Sequence, residues 1–150
     1  MNAESSPDLE ISVLKLHPYA QLPRYAHTGP YGDLAADLHA VEPLTLAPAE
    51  TRAVPTGIAL GLPDGFGALV EDRSGLASRG ITTLAGVIDP GYRGEVKVVM
   101  TNLSAIPHTI AAGDRIAQLR IVRRIEAAFT EVSTLDQTPR NQGGFGSTGA

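Results

Sequence analysis

The 150-residue chain has no cysteine and no tryptophan, and only two of its 12 basic residues, Lys15 and Lys97, are lysines. Without cysteine, disulfides, thiolate catalysis and Cys-based zinc or iron–sulfur sites are excluded together. There is no basic excess either: 12 Lys+Arg against 16 Asp+Glu give a net charge of −4, which argues against a protein that coats nucleic acid. No apolar run approaches the ~20 residues of a membrane-spanning helix. The opening MNAESSPDLE is acidic, with neither a positive region nor an apolar stretch, and is read as no signal peptide. The expectation is a cytoplasmic single domain with no membrane and no nucleic-acid partner. What is abundant is backbone punctuation, with 16 Gly and 11 Pro, which suits short strands and tight turns better than long helices. The ten remaining basic residues are arginines, whose rigid fork matches phosphate and carboxylate oxygens.

The periodicity is that of strands. ISVLKL at 11–16 alternates apolar and polar residues, and 17–36 reads as loop. Strands are expected at 44–47, 51–62, 67–72, 95–102 and 114–122, with Pro55 and Gly57 marking an edge or a bulge in the second of these. Val96, Val98 and Met100 share one face. In the last strand Ile116, Gln118 and Arg120 fall on one side and Ala117, Leu119 and Ile121 on the other. A turn or two of helix is expected at 74–79, and 126–132 fits either a strand or a short helix. The pattern is all-β, as in sandwiches and jelly rolls.

Three clusters hold most of the candidate chemistry. Glu71-Asp72-Arg73-Ser74-Gly75 leads from a strand into the short helix. There Ser74 reads as an N-cap, and the exposed N–H groups favour an anion. Gly86-Val-Ile-Asp89-Pro-Gly-Tyr92-Arg-Gly94 reads as a β-hairpin with Asp89 and Tyr92 at its tip. The Gly-rich end contains Gly144-Phe-Gly146-Ser-Thr-Gly149, which satisfies the G-x-G-x-x-G pattern. That pattern needs a following helix to face a pyrophosphate, and only Ala150 follows. What survives is an amide- and hydroxyl-rich strip able to close over an anion held by another surface. By composition alone it reads as a frayed terminus. Taken singly, each cluster has a plain structural reading: a cap, a turn with a surface Tyr, a loose end. His17, His27, His39 and His108 lack ligand spacing and read as surface or satisfied polar residues.

Together and in this order, the clusters resemble the five motifs of the trimeric dUTP pyrophosphatase (dUTPase) family. Asp33-Leu-Ala-Ala-Asp37-Leu38 is similar to the first, Arg73-Ser-Gly-Leu-Ala77 to the second, and Gly86 to Gly94 to the third. Gly113-Asp-Arg-Ile-Ala-Gln-Leu119 is similar to the fourth and Arg140 to Gly149 to the fifth. Ala35 replaces the usual Gly of the first motif, and Asp72 the Pro that often precedes Arg-Ser-Gly. Asp72 is expected either to point away from the phosphates or to pair with an arginine.

The resemblance implies a distorted jelly-roll, or β-clip, barrel in a homotrimer. Residues 1–139 would form the domain, and 140–150 a flexible Gly-rich C-terminal arm. It implies hydrolysis of dUTP to dUMP and pyrophosphate with Mg²⁺, which limits uracil incorporation into DNA and supplies dUMP for dTMP synthesis. Asp89 is then the general base for water attack on the α-phosphorus. Tyr92 lies under the sugar and excludes a ribose 2′-hydroxyl, and the backbone around 84–96, Gly86 included, reads the uracil edge. Arg73, Ser74 and Gly75 hold phosphates. Asp37 and Gln118 bind waters of a Mg²⁺ carried by the triphosphate, with no direct protein ligand. Arg140 meets the γ-phosphate, Phe145 stacks on the uracil, and Gly146, Ser147 and Thr148 complete the arm's contacts. A dCTP deaminase, alone or as a bifunctional deaminase/dUTPase, is the nearest alternative. Its relatives carry Arg-Ser-Ser in the second motif where this chain has Arg-Ser-Gly, and use a catalytic Glu; Glu95 here sits in a dUTPase setting. A non-catalytic nucleotide-binding jelly roll has no need of Asp89.

Overall fold

A computed structural model describes residues 7–146 and Gly149. Ten strands and one short helix follow in order: β1 (Ser12–Lys15), β2 (Ala36–His39), β3 (Leu44–Leu46), β4 (Thr51–Gly61), β5 (Phe66–Glu71), α1 (Ser74–Ala77), β6 (Ile81–Leu84), β7 (Val87–Ile88), β8 (Glu95–Asn102), β9 (His108–Ile110) and β10 (Arg115–Arg123). They form a distorted jelly roll. One antiparallel sheet runs β1-β4-β8-β6, a second runs β2-β10-β5-β7, and β3 and β9 pair as a ribbon. No helix among the described residues is long and apolar enough to cross a membrane.

Period-2 alternation builds the core. On β8, Val96, Val98 and Met100 are almost wholly buried and join Val54, Ile58 and Leu60 of the neighbouring β4 in one core. β4 is an interior strand, so Pro55 and Gly57 mark a bulge and not an edge: the register with β8 breaks between Pro55 and Ala59. Gly57 takes φ +73°, and its N–H donates to the Glu95 carboxylate at 3.0 Å. Asn102, fully buried at the end of β8, is satisfied four times over. Its Nδ2 donates to the carbonyls of Leu46 and Ile106, and its Oδ1 accepts from the Ser104 N–H and hydroxyl. A buried amide without these partners would cost roughly 1–3 kcal/mol, so the network fixes the corner where β8 meets the ribbon.

Three sequence expectations are corrected. First, β7 and β8 do not form a hairpin. β7 pairs with β5, while β8 pairs with β4 and β6. Ala85 (φ +61°) and Gly86 (φ +120°) carry the chain from the first sheet to the second, and the Asp89–Tyr92 turn returns it. Alternation reports the face of a residue but not its sheet, so it missed this crossing. Second, Ile116 does not share a side with Gln118, because the β10–β2 register shifts between Arg115 and Ala117 and buries Ile116 and Ala117 alike. Third, 126–132 is neither strand nor helix. Residues 123–142 are exposed throughout, with Ile125 and Phe129 at 87% and 97%, so nothing among the described residues supplies a face to order them.

Candidate functional site

The candidate residues of the β domain line two cavities. The first, about 210 Å³, is walled by the crossing segment and β8: Gly86, Ile88, Asp89, Tyr92, Glu95 and Lys97 are among its residues. Its shape depends on close backbone approach. A Cβ at Gly86 would lie 2.6 Å from the Val70 carbonyl oxygen, and the Val70 N–H already donates to the Gly86 carbonyl at 2.7 Å. Asp89 opens the turn whose Tyr92 N–H donates back to the Asp89 carbonyl at 3.1 Å. The Tyr92 hydroxyl donates to the Glu95 carbonyl at 2.7 Å, which sets the ring against the cavity wall. Gly94 makes room for it, since a Cβ there would sit 2.6 Å from Tyr92 Oη.

The second cavity, about 830 Å³, brings together Asp37, Arg73, Ser74, Gly75 and Gln118. Cross-strand register explains why. Gln118 of β10 lies opposite Asp37 of β2 on one side and Glu71 of β5 on the other, so the three form one row on one face. Asp37 is held by Arg73 Nε at 3.4 Å and Arg115 Nη1 at 3.7 Å. The Gln118 Nε2 donates to the Asp72 carbonyl at 2.7 Å, which leaves its Oε1 as the acceptor presented to the cavity. Arg73, not Ser74, occupies the cap position of α1, and no side chain caps it; Ser74 is the first helical residue and is exposed.

Asp72 also lines this cavity, but its carboxylate forms no ion pair with an arginine among the described residues. Its carboxylate accepts the Thr82 hydroxyl and the Thr83 N–H, both at 2.6 Å. Burial opposes ionisation, but these bonds outweigh it and hold the carboxyl below the usual aspartate range.

Several cavity residues were not singled out from sequence. The Arg120 guanidinium grips the Glu71 carboxylate with Nε–Oε1 at 2.6 Å and Nη2–Oε2 at 3.2 Å, and both side chains line the second cavity. Arg120 stands two residues from Gln118 on the same strand, and that spacing was the available signal. Arg115 lies within the fourth motif without having been given a role. His27, expected to be a surface residue, is exposed but also lines the cavity, and its Nδ1 lies 3.1 Å from Asp33 Oδ1.

The two cavities share no residue, and none of the described arm residues lines either. Arg140 Nε donates locally to the Gly143 carbonyl at 2.8 Å, Phe145 is fully exposed, and Gly146 takes φ +76°. Ser147 and Thr148 lie outside the described residues. Among the described residues no group of three or more His, Asp or Glu is placed to hold a metal directly. The Asp37 carboxylate with the neighbouring amide oxygen of Gln118 fits an ion bound through its own waters, the usual habit of Mg²⁺.

Comparison with known proteins bears on the whole assembly of motifs. The dUTPase family model matches residues 24–149. A deoxyuridine 5'-triphosphate nucleotidohydrolase of Solibacter usitatus is 49% identical over 144 residues, spanning 94% of this chain and 97% of its own. One of the same name from Thermobifida fusca is 49% identical over 145 residues, spanning 94% and 79%. Among solved structures, the dUTPase of Staphylococcus bacteriophage 80alpha with dUPNHPP superposes with a TM-score of 0.82 at 25% identity, covering 94% of this chain and 99% of that one. The matched region takes in all five motifs and every element that lines the two cavities, and this chain is a member of the dUTPase family.

Proposed function

We propose that the protein hydrolyses dUTP to dUMP and pyrophosphate, in active sites completed between copies of the chain. The observation that carries this reading is the separation of the two cavities. The residues suited to a nucleoside surround one, those suited to phosphates surround the other, and no residue belongs to both. A homotrimer that sets the first cavity of one copy against the second of its neighbour makes each site whole. Residues 1–139 form the β domain in this scheme, and 140–150 close the site from a further copy.

In such a site the narrow backbone around 84–96 reads the uracil edge, and Tyr92 stands where a 2′-hydroxyl would go. Arg73, Ser74 and Gly75 grip the phosphate chain, with Arg140, Gly146, Ser147 and Thr148 added by the arm and Phe145 stacked on the base. Asp89 orients a water and takes its proton as the water oxygen bonds to the α-phosphorus. The bond from that phosphorus to the α–β bridging oxygen breaks, and pyrophosphate leaves. Asp37 and Gln118 would hold a Mg²⁺ through its waters, and the ion would supply neutralisation of charge on the phosphate oxygens.

A pyrophosphate-release assay with dUTP, UTP, dCTP and dTTP, with and without Mg²⁺, tests the reading. Release from dUTP alone, dependent on Mg²⁺, is expected. Ammonium release from dCTP at a comparable rate would instead make the protein a deaminase. Light scattering at assay concentration is expected to give three times the monomer mass.

A further inference from the structure

The turn that carries Asp89 belongs to neither sheet, and something other than a strand ladder must hold it. β7 is only two residues long and ends at Ile88, and β8 begins at Glu95. Between them the main chain makes one local bond, from the Tyr92 N–H to the Asp89 carbonyl. Two side chains help fill the gap: Tyr92, through its hydroxyl bond to the Glu95 carbonyl, and Arg93, a third-motif residue to which the hydrolysis scheme gives no part. Its Nη1 donates to the Pro90 carbonyl at 2.7 Å and to the Tyr92 carbonyl at 3.1 Å, and its Nη2 donates to the Leu62 carbonyl at 3.1 Å. Leu62 is buried and directly follows β4, so it is part of the rigid body. None of the ion pairs among the described residues involves Arg93; its donors are committed to main-chain oxygens.

We propose that Arg93 is a positioning residue for both catalysis and sugar selection. One planar guanidinium fixes the carbonyl of the residue after Asp89 and the carbonyl of Tyr92, and ties both to the end of β4. The side chain has to be arginine because the bonds diverge from two nitrogens held rigidly in one plane; a lysine presents its donors from a single point. The charge on the donor strengthens each bond relative to a neutral one. Freed of Arg93, the turn shifts the water-orienting carboxylate and the Tyr92 ring together, because both ride on the same four residues. Misplacement of this order costs about 10²-fold in well-aligned reactions.

This proposal rests on the dUTP-hydrolase reading, and its test separates the two. Wild type, Arg93→Ala and Arg93→Lys are compared for kcat and KM with dUTP and with UTP, alongside melting temperature and assembled mass. Arg93→Ala is expected to lower kcat with dUTP by about 10- to 10²-fold. It should also lower the ratio of kcat/KM for dUTP over UTP at least ~10-fold, with Arg93→Lys intermediate in both. The ratio is the decisive readout: loss of folded enzyme lowers both activities equally and leaves it unchanged. A folded Arg93→Ala protein as selective as wild type would overturn the role of Arg93 while leaving the hydrolase reading intact. If Arg93→Ala does not fold, an Arg93→Lys protein with full selectivity overturns it equally. Wild type inert towards dUTP refutes both.

Discussion

Two adjacent residues, Ala85 and Gly86, both hold positive φ where the chain leaves one sheet for the other, yet substitutions at them are expected to differ sharply. At Gly86 an added Cβ meets the Val70 carbonyl oxygen at 2.6 Å and Val70 Cβ at 3.2 Å, where an ordinary contact begins at 3.4 Å. The oxygen must retreat by about 0.8 Å, and it belongs to a paired strand. The φ of +120° adds a conformational cost of about 1–3 kcal/mol for any L side chain. Moving Val70 also strains the Val70 N–H to Gly86 carbonyl bond, worth about 1 kcal/mol. Together these put Gly86→Ala near 3 kcal/mol of destabilisation, a fall of about 6–12 °C in melting temperature for a chain of this size. At Ala85 the same bookkeeping runs the other way. Its φ of +61° lies in the left-handed helical well, so Ala85→Gly relieves about 1 kcal/mol of strain. The looser unfolded chain costs about 0.4–1 kcal/mol in return, so the two nearly cancel. Thermal unfolding at one fixed protein concentration measures both. A Gly86→Ala protein melting within about 2 °C of wild type would refute the close-approach reasoning, as would an Ala85→Gly protein that falls as far as Gly86→Ala.

Four further outcomes are expected. Asp89→Asn keeps dUTP binding but loses about 10²–10⁴-fold in kcat, read by calorimetry beside the release assay; unchanged turnover removes Asp89 from its role. Mixing Asp89→Asn with Arg73→Ala chains, unfolding and refolding them together, restores activity at about a quarter of the sites, because a site that draws its two cavities from different copies needs an intact contribution from each; no recovery would mean each site is built within one chain. Removing residues 140–150 leaves the melting temperature within about 2 °C but abolishes turnover, since the described arm residues make no contact with the core; a truncated chain that fails to fold would refute this. Asp72→Asn destabilises the protein, and the difference depends on pH. The native Asp72 carboxyl is held below its unfolded value, so its stabilisation is fully present above about pH 5 and disappears as pH falls through the depressed native value. Melting curves of wild type and Asp72→Asn should therefore stand apart at pH 7 and draw together only as pH falls below the ordinary aspartate range; a constant gap would refute the assignment.

Much of this was legible in the sequence, and what was not has definite physical causes. The strands that bury one face announced themselves by alternation, as Val96, Val98 and Met100 did, and the bulge at Pro55 and Gly57 was marked by residues that cannot continue a ladder. The short strands β2, β6 and β9 escaped notice because three or four residues carry too little period to read. The crossing at Ala85 was invisible for another reason: an alanine gives no hint of positive φ, so the apolar runs before Asp89 and after Gly94 looked like two arms of one hairpin. At the site, Asp37, Arg73, Ser74 and Gln118 were found by motif, and they do converge on one cavity. The Glu71–Arg120 pairing was missed because it depends on the register between β5 and β10, and register is set by tertiary packing. The placement of Asp72 against Thr82 and Thr83 depended likewise on where β6 lands.

Arg73 and Arg115 both lean on Asp37 in the isolated chain, and this small triad has a consequence for the order of events on the enzyme. A carboxylate between two guanidiniums acts as a resident surrogate for an incoming anion, keeping their forks splayed at the mouth of the cavity and sparing the substrate the work of marshalling them. On the proposed reading, a polyphosphate would take over that duty and free the Asp37 oxygens for the waters of an accompanying cation. Loading would then be an exchange of partners, in which a bare nucleoside, lacking any phosphate to offer, leaves the lock unturned.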